Sequence, residues 1–194
     1  MDRTVCILQG HPDGKGKHLC HAIADAYADG AKLARARVRR IDLGSMDIPM
    51  LRDPADFGKP PIESVVAAQQ AIKACHHLVV VYPLWLGTMP AVVKAFFEQL
   101  CRNNFAIEAN AKGGWPRQQL KGKSARVIVT MGMPAAAYKL MFGAHGVRGF
   151  ESSILGMSGI RPIRETLIGG VGALSRNQSE ALLAKMRRLG KELA

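Results

Sequence analysis

The chain has 194 residues, 48% hydrophobic and 22% charged, which suits one domain over residues 1–194 with a sizeable core and excludes wholesale disorder. Its four cysteines (Cys6, Cys20, Cys75 and Cys101) make no CxxC, and no Cys/His set has zinc-finger spacing, so free thiols in a reducing cytoplasm are expected, without a disulfide scaffold or metal site. The formal charge is +12, and more than half of it comes from residues 109–150, which hold Lys112, Arg117, Lys121, Lys123, Arg126, Lys139 and Arg148 and no acid, a pattern that favours anionic partners.

Thr4 to Leu8 is a short β-rich run ending at Gly10, and because it leads straight into a polar Gly-rich loop it does not read as a signal peptide. Residues 18–34 are predicted as a helix with Leu19, Ala22, Ile23, Ala26 and Tyr27 on one face. Val38 to Leu43 follows as a strand with Arg39 and Arg40 at an exposed edge, then a Pro-punctuated loop over 44–60. Pro60 and Pro61 introduce a helix near 62–75. Leu78-Val79-Val80-Val81-Tyr82 is the clearest buried strand; its β-branched run implies burial on both faces, as in a parallel sheet. His76 and His77, ahead of it, read as surface residues.

Thr88 is placed to cap the next helix, with Pro90 in its first turn and Val92, Val93, Phe96, Phe97 and Leu100 as its core stripe. The uncharged stretch Ala74–Val93 fails as a membrane span, being broken by Pro83, Gly87 and Pro90. Residues 104–122 look like an excursion before a fourth strand at Ala125–Thr130. A Gly-rich segment and a helix near 149–157 precede a fifth strand at Pro162–Ile168. Ser175 and Gln178 have capping-box spacing at the start of the last helix. Strands alternating with helices imply one α/β domain, an open parallel sheet with helices on both faces.

Ligands of such sheets bind beyond the carboxyl ends of the strands, where strand order reverses. Three loops qualify: Gly10–Lys17, Pro83–Met89 and Met131–Tyr138. The first joins a strand to a helix N-terminus and carries Lys15, Lys17 and His18, which suits a phosphate. It is not a Walker A loop, and as a dinucleotide fingerprint it is broken, with Leu19 where a third glycine belongs. The second loop sets the Trp85 indole and several main-chain groups at the top of a buried strand, a platform for a flat heterocycle or, alternatively, a packing aromatic. The arginine cluster at 35–40 lacks interleaved aromatics and reads as a solvated edge, so nucleic acid is not an expected partner.

The run from Tyr82 to Glu98 resembles the flavin-contacting segment of the flavodoxin-like NAD(P)H:quinone oxidoreductases, a family that includes ancillary flavoproteins of potassium efflux systems. The likeness extends to Gly10-His11-Pro12, to Thr130-Met131-Gly132-Met133-Pro134 and to Gly143-Ala144-His145-Gly146. It implies a doubly wound five-stranded parallel sheet of order 2-1-3-4-5 and a bound flavin, FAD or FMN, reduced by NADPH or NADH. It places His11, His18, Leu19 and Cys20 near the flavin phosphate and ribityl chain, and Pro83, Leu84, Trp85 and Leu86 against the isoalloxazine. Thr130, Met131, Gly132 and Met133 fall along the pyrimidine side. Met131, Met133 and Pro134 stand where relatives often carry Thr, Gly and a small flexible residue. Tyr138 and His145 take the places of a catalytic Tyr/His pair.

The activity so implied is two-electron, ping-pong transfer from NAD(P)H to quinones or similar electrophiles, in a homodimer. Imidazole chemistry suits such a role, since histidine exchanges a proton near neutrality. The basic 109–150 segment would favour NADPH. A second expectation is a flavin- and nucleotide-binding regulatory subunit with a membrane potassium transporter as partner. A one-electron carrier is opposed by the charge of +12.

Overall fold

The computed structural model describes residues 3–110 and 113–193; Lys112 of the basic segment lies outside them. In chain order the elements begin with β1 (Thr4–Gln9), α1 (Leu19–Leu33), β2 (Arg37–Asp42), α2 (Glu63–Ala74), β3 (His77–Pro83) and α3 (Ala91–Leu100). A small hairpin follows, β4 (Ile107–Glu108) and β5 (Arg117–Gln118), and then β6 (Ser124–Thr130), α4 (Ala135–Phe142) and α5 (His145–Gly149). A π-helical segment at Phe150–Gly156 leads to β7 (Ile163–Ile168) and α6 (Arg176–Glu192). Five strands pair in parallel in the order β2-β1-β3-β6-β7, which is the expected 2-1-3-4-5 arrangement with the small hairpin inserted before the fourth strand.

Burial explains the order. β1, β3 and β6 are apolar almost throughout and take the centre, whereas β2 exposes Arg37, Arg39 and Arg40 and β7 exposes Arg164 and Glu165 at the edges. Side chains alternate along β3. Leu78, Val80 and Tyr82 join a layer with Phe96, Phe97 and Phe150, while Val79 and Val81 join Ile23, Tyr27 and Met186 beneath α1 and α6.

The helices α1 and α6 cross at two glycines. A Cβ on Gly30 would lie 1.9 Å from the Arg187 carbonyl oxygen, and one on Gly190 would lie 2.1 Å from that of Tyr27. Since both obstacles are backbone, Gly30→Ala is expected to prise the helices apart and cost about 2 kcal/mol, within the usual range for overpacking. A urea melt reads this directly, and an unchanged midpoint would show that the crossing has slack.

Several expectations are corrected. His77 is buried, 5% exposed, with Nε2 3.0 Å from the Tyr27 hydroxyl and Nδ1 2.7 Å from Ser124 Oγ; its neighbour His76 accepts from Thr4 N. The apolar α1 face, rather than the strand end, decided that burial. Thr88 does not cap α3; its backbone pairs with Trp85, and Pro90 occupies the cap position. The Gly-rich segment after β6 contains α4 and α5, and the helix expected near 149–157 is largely the π-helical segment.

The basic segment is no continuous field either. Arg126 is 7% exposed and donates to Thr166 across the sheet, and Lys123 donates to the Lys73 and Cys75 carbonyls. Among the described residues no helix is long and apolar enough to cross a membrane.

Candidate functional site

The strand order reverses between β1 and β3, and the loops after β1, β3 and β6 rise together from that point. They are tied to each other by main-chain and side-chain bonds. Leu84 N donates to Thr130 O at 2.7 Å, Met131 N to Ile168 O at 2.8 Å, and Cys20 Sγ lies 3.2 Å from Thr130 Oγ1. Burial pushes the Cys20 thiol up to about 11, so it is a packing group here and not a thiolate.

The loop after β1 is organised by Asp13, whose carboxylate accepts from Lys15 N and Gly16 N and meets His18 Nε2 at 2.9 Å. The His18 bond, with the Lys15 N–H next, holds this exposed carboxyl below its ordinary value. His11 and His18 stack with ring centroids 3.8 Å apart, and His21, one turn into α1, lies 5.6 Å from His11. Burial, then the neighbouring His18 and His21, hold His11 below the usual imidazole range. Both ring nitrogens of His21 are buried without a partner, as is Nε2 of Gln9 at the end of β1.

The loop after β3 is a two-residue hairpin. Trp85 and Thr88 exchange backbone bonds at 2.9 and 3.0 Å around Leu86 and Gly87, both with positive φ. Such a I′ turn ordinarily takes Asn-Gly, and a leucine there is strained. Its side chain projects fully into solvent, and Trp85 is 49% exposed with its ring edge-on to His11, centroids 6.3 Å apart. An apolar cleft of about 780 Å³ runs from this hairpin along α3, lined by Trp85, Leu86, Met89, Lys94, His145 and Phe150 among others.

The residues expected from the sequence are therefore gathered at one end of the sheet, but they do not all face the same space. Trp85 and Leu86 line the cleft, with His11 edge-on to Trp85 and His18 stacked on His11, Leu19 opens α1, and Thr130 and Met131 are buried beneath the loops. Met133 O and Met131 O accept from Gly170 N and Val171 N, which anchors the third loop to the chain after β7 with Gly132 exposed between them. His145 is exposed at the cleft. Tyr138 is wholly buried and its hydroxyl donates to Gly87 O at 2.9 Å, so it braces the hairpin from behind; burial raises its hydroxyl above the ordinary phenol value.

Three contributors were not singled out as site residues from the sequence. Asp13 organises the loop, Gly146 sits directly against Gly87 and Thr88, and His21 adds a third imidazole. His21 was findable: it stands three residues after His18 at a helix start, a spacing that puts both side chains on one face. Gly146 was not, because its neighbours come from a different crossover.

A family model described as the flavodoxin-like fold matches residues 3–193, nearly the whole chain. The chain belongs to this flavodoxin-like family. Solved structures agree with its architecture. An NAD(P)H:quinone oxidoreductase from Methanothermobacter marburgensis is similar with a TM-score of 0.80 at 21% identity, all of each chain being covered. An FMN-dependent NADH-azoreductase from Bacillus anthracis str. Ames Ancestor, determined in complex with FMN, gives 0.76 at 16% identity, again over all of both chains. At these identities the likeness speaks for the fold. Among functionally curated protein sequences none matches. In flavodoxin-like terms, the switch point between β1 and β3 is where this chain gathers its exposed indole, its imidazoles and its orphaned buried nitrogens.

Proposed function

We propose that this protein is a flavin-dependent NAD(P)H oxidoreductase that passes two electrons, in ping-pong order, to quinones or similar electrophilic acceptors. The observation that carries the reading is the convergence of the three loops on one spot, where the exposed Trp85 ring meets stacked imidazoles at the start of α1. The residues fit a phosphorylated planar cofactor. The buried nitrogens of His21 and Gln9 lack partners within the chain, and the loop from Gly10 to His18 leads its backbone N–H groups into a helix N-terminus. The likeness to an azoreductase bound to FMN favours the mononucleotide over FAD.

In this reading His11, His18, Leu19 and Cys20 hold the phosphate end, and Pro83, Leu84, Trp85 and Leu86 hold the ring. Thr130, Met131, Gly132 and Met133 take its polar edge. The bound flavin supplies the hydride-accepting and hydride-donating centre. The chain supplies the platform, excludes water with the apolar cleft walls, and presents His145 to exchange a proton with the acceptor oxygen. Tyr138 acts through the hairpin as a positioning residue. Lys94 at the cleft favours a phosphorylated coenzyme, with NADPH ahead of NADH. The exposed Leu86, Leu140, Met141 and Phe142 suit coverage by a second copy, and the homodimer belongs to the proposal.

The test is reconstitution of the full chain with FMN. Absorbance at about 450 nm should bleach on adding NADPH and return on adding a quinone. His145→Gln should slow turnover by about 10²-fold, the scale of a general acid–base contribution, while FMN stays bound. A flavin that NADPH does not bleach would remove the reading, and sedimentation showing monomer alone would remove the dimer.

A further inference from the structure

We propose that His11, His18 and His21 form a phosphate cradle that takes up a proton as it binds, so that pH sets the protein's grip on a phosphomonoester. The inference rests on the flavin reading above and adds to it a regulation of the same site.

The sequence of the loop makes this cradle unusual in its chemistry. From Gly10 to His18 there is no serine or threonine, so no neutral hydroxyl is available there; the side chains offered are imidazoles, two lysines and one carboxylate. A phosphate held by such a set is held by groups whose charge can change. The geometry then couples them. His11 and His18 stack at 3.8 Å, and His21 lies 5.6 and 5.8 Å from the two. Burial, then the neighbouring His18 and His21, hold His11 below the usual imidazole range, so its ring resists a proton while no anion is near. A phosphate dianion reverses the sign of that interaction and draws a proton onto the cluster.

The surrounding charges leave room for this. Lys15 and Lys17 flank the cluster in the same loop. Asp13 supplies one negative charge and is already engaged with Lys15 N, Gly16 N and His18. From α1, the Cys20 thiol is bonded to Thr130. From the turn packed on Gly14, the Asp42 carboxylate accepts from Gly44 N. The loop after β3 contributes Trp85, which carries no charge. The second pointer to a ligand is the set of orphaned polar atoms: both ring nitrogens of His21 and the Nε2 of Gln9, a residue with no exposed surface whose Oε1 accepts from His11 N.

Titration calorimetry of the flavin-free full chain decides the matter. FMN is titrated at pH 7.0, 7.5 and 8.0 in buffers of different ionisation enthalpy, with riboflavin, which lacks the phosphate, alongside. Uptake of about one proton per FMN is expected at pH 7.5, with affinity about five- to tenfold weaker at pH 8 than at pH 7. Riboflavin should show neither effect. His18→Gln should cut the uptake by at least about half while riboflavin affinity stays within about twofold; His21→Gln gives the same reading if the first variant does not fold. FMN binding with no proton uptake overturns the inference and leaves the flavin reading intact. If FMN fails to bind but inorganic phosphate binds with proton uptake, the cradle stands and the flavin reading falls. Failure of both probes overturns both.

Discussion

Gly146→Ala is expected to weaken FMN binding by at least about tenfold while leaving the folded core intact, a loss on the scale of one aromatic stacking contact. A Cβ at this position would lie 2.3 Å from Gly87 O and 2.8 Å from Thr88 Cα. Both are backbone atoms, so the added methyl cannot be met by a side-chain rotation and the hairpin itself has to move. The Gly87 carbonyl is also the acceptor of the Tyr138 hydroxyl, at 2.9 Å, so the displacement breaks the brace that sets the hairpin's height. Trp85 moves with it. The hairpin protrudes, with Leu86 fully exposed and already in a strained conformation, so few core contacts oppose the shift and the penalty falls on the site more than on stability. Quenching of tryptophan fluorescence by FMN measures the affinity, and a thermal melt reports the core. An unchanged affinity would mean that Trp85 contributes nothing that depends on the hairpin's position.

Acid is expected to destabilise the fold by about 3 kcal/mol between pH 6.5 and pH 4 through His77 alone. Burial, then the charges of Arg126 and Arg164, lower this imidazole from 6.5 to about 4. In that window the unfolded chain binds a proton that the native one refuses. Stability therefore rises with pH across the window, is fully present above pH 6.5, and is lost as pH falls toward the native value. His11, lowered in the same direction, adds to the slope, whereas Asp13 and Asp56, held below their ordinary values, lose their contribution only at more acid pH. Urea melts across this range measure the slope. His77→Gln should flatten most of it while lowering stability at pH 7, because the bonds to Tyr27 and Ser124 are disturbed. A variant that keeps the full slope would assign the acid sensitivity elsewhere.

Both effects originate in contacts between crossovers distant in the chain, and this marks the boundary of what could be read from the residues in order. The strands could be read. A β-branched run such as Leu78–Tyr82 can be buried on both faces only inside a parallel sheet, and the arginines of β2 belong on an edge. The capping box of Ser175 and Gln178 is local, and it forms as expected. The loops that bear the site were legible for the same reason, since they follow from strand order.

What lay beyond reach was the company each side chain keeps. Two adjacent histidines stand at the start of β3, yet His77 is sealed between α1 and β6 while His76 is exposed at the N-terminal end of the central strands. Seven basic residues cluster in the sequence between 109 and 150, yet Arg126 spends its charge inside the sheet. The sequence by itself determined the alternation of strand and helix, the parallel sheet and the end of it where chemistry can sit, because periodicity records how often each segment meets the core. Only the tertiary structure decided that the Trp85 ring meets His11, that Tyr138 braces a hairpin and that Gly146 has no room for a methyl group, because those are meetings between separate crossovers and no single segment carries a record of its partner.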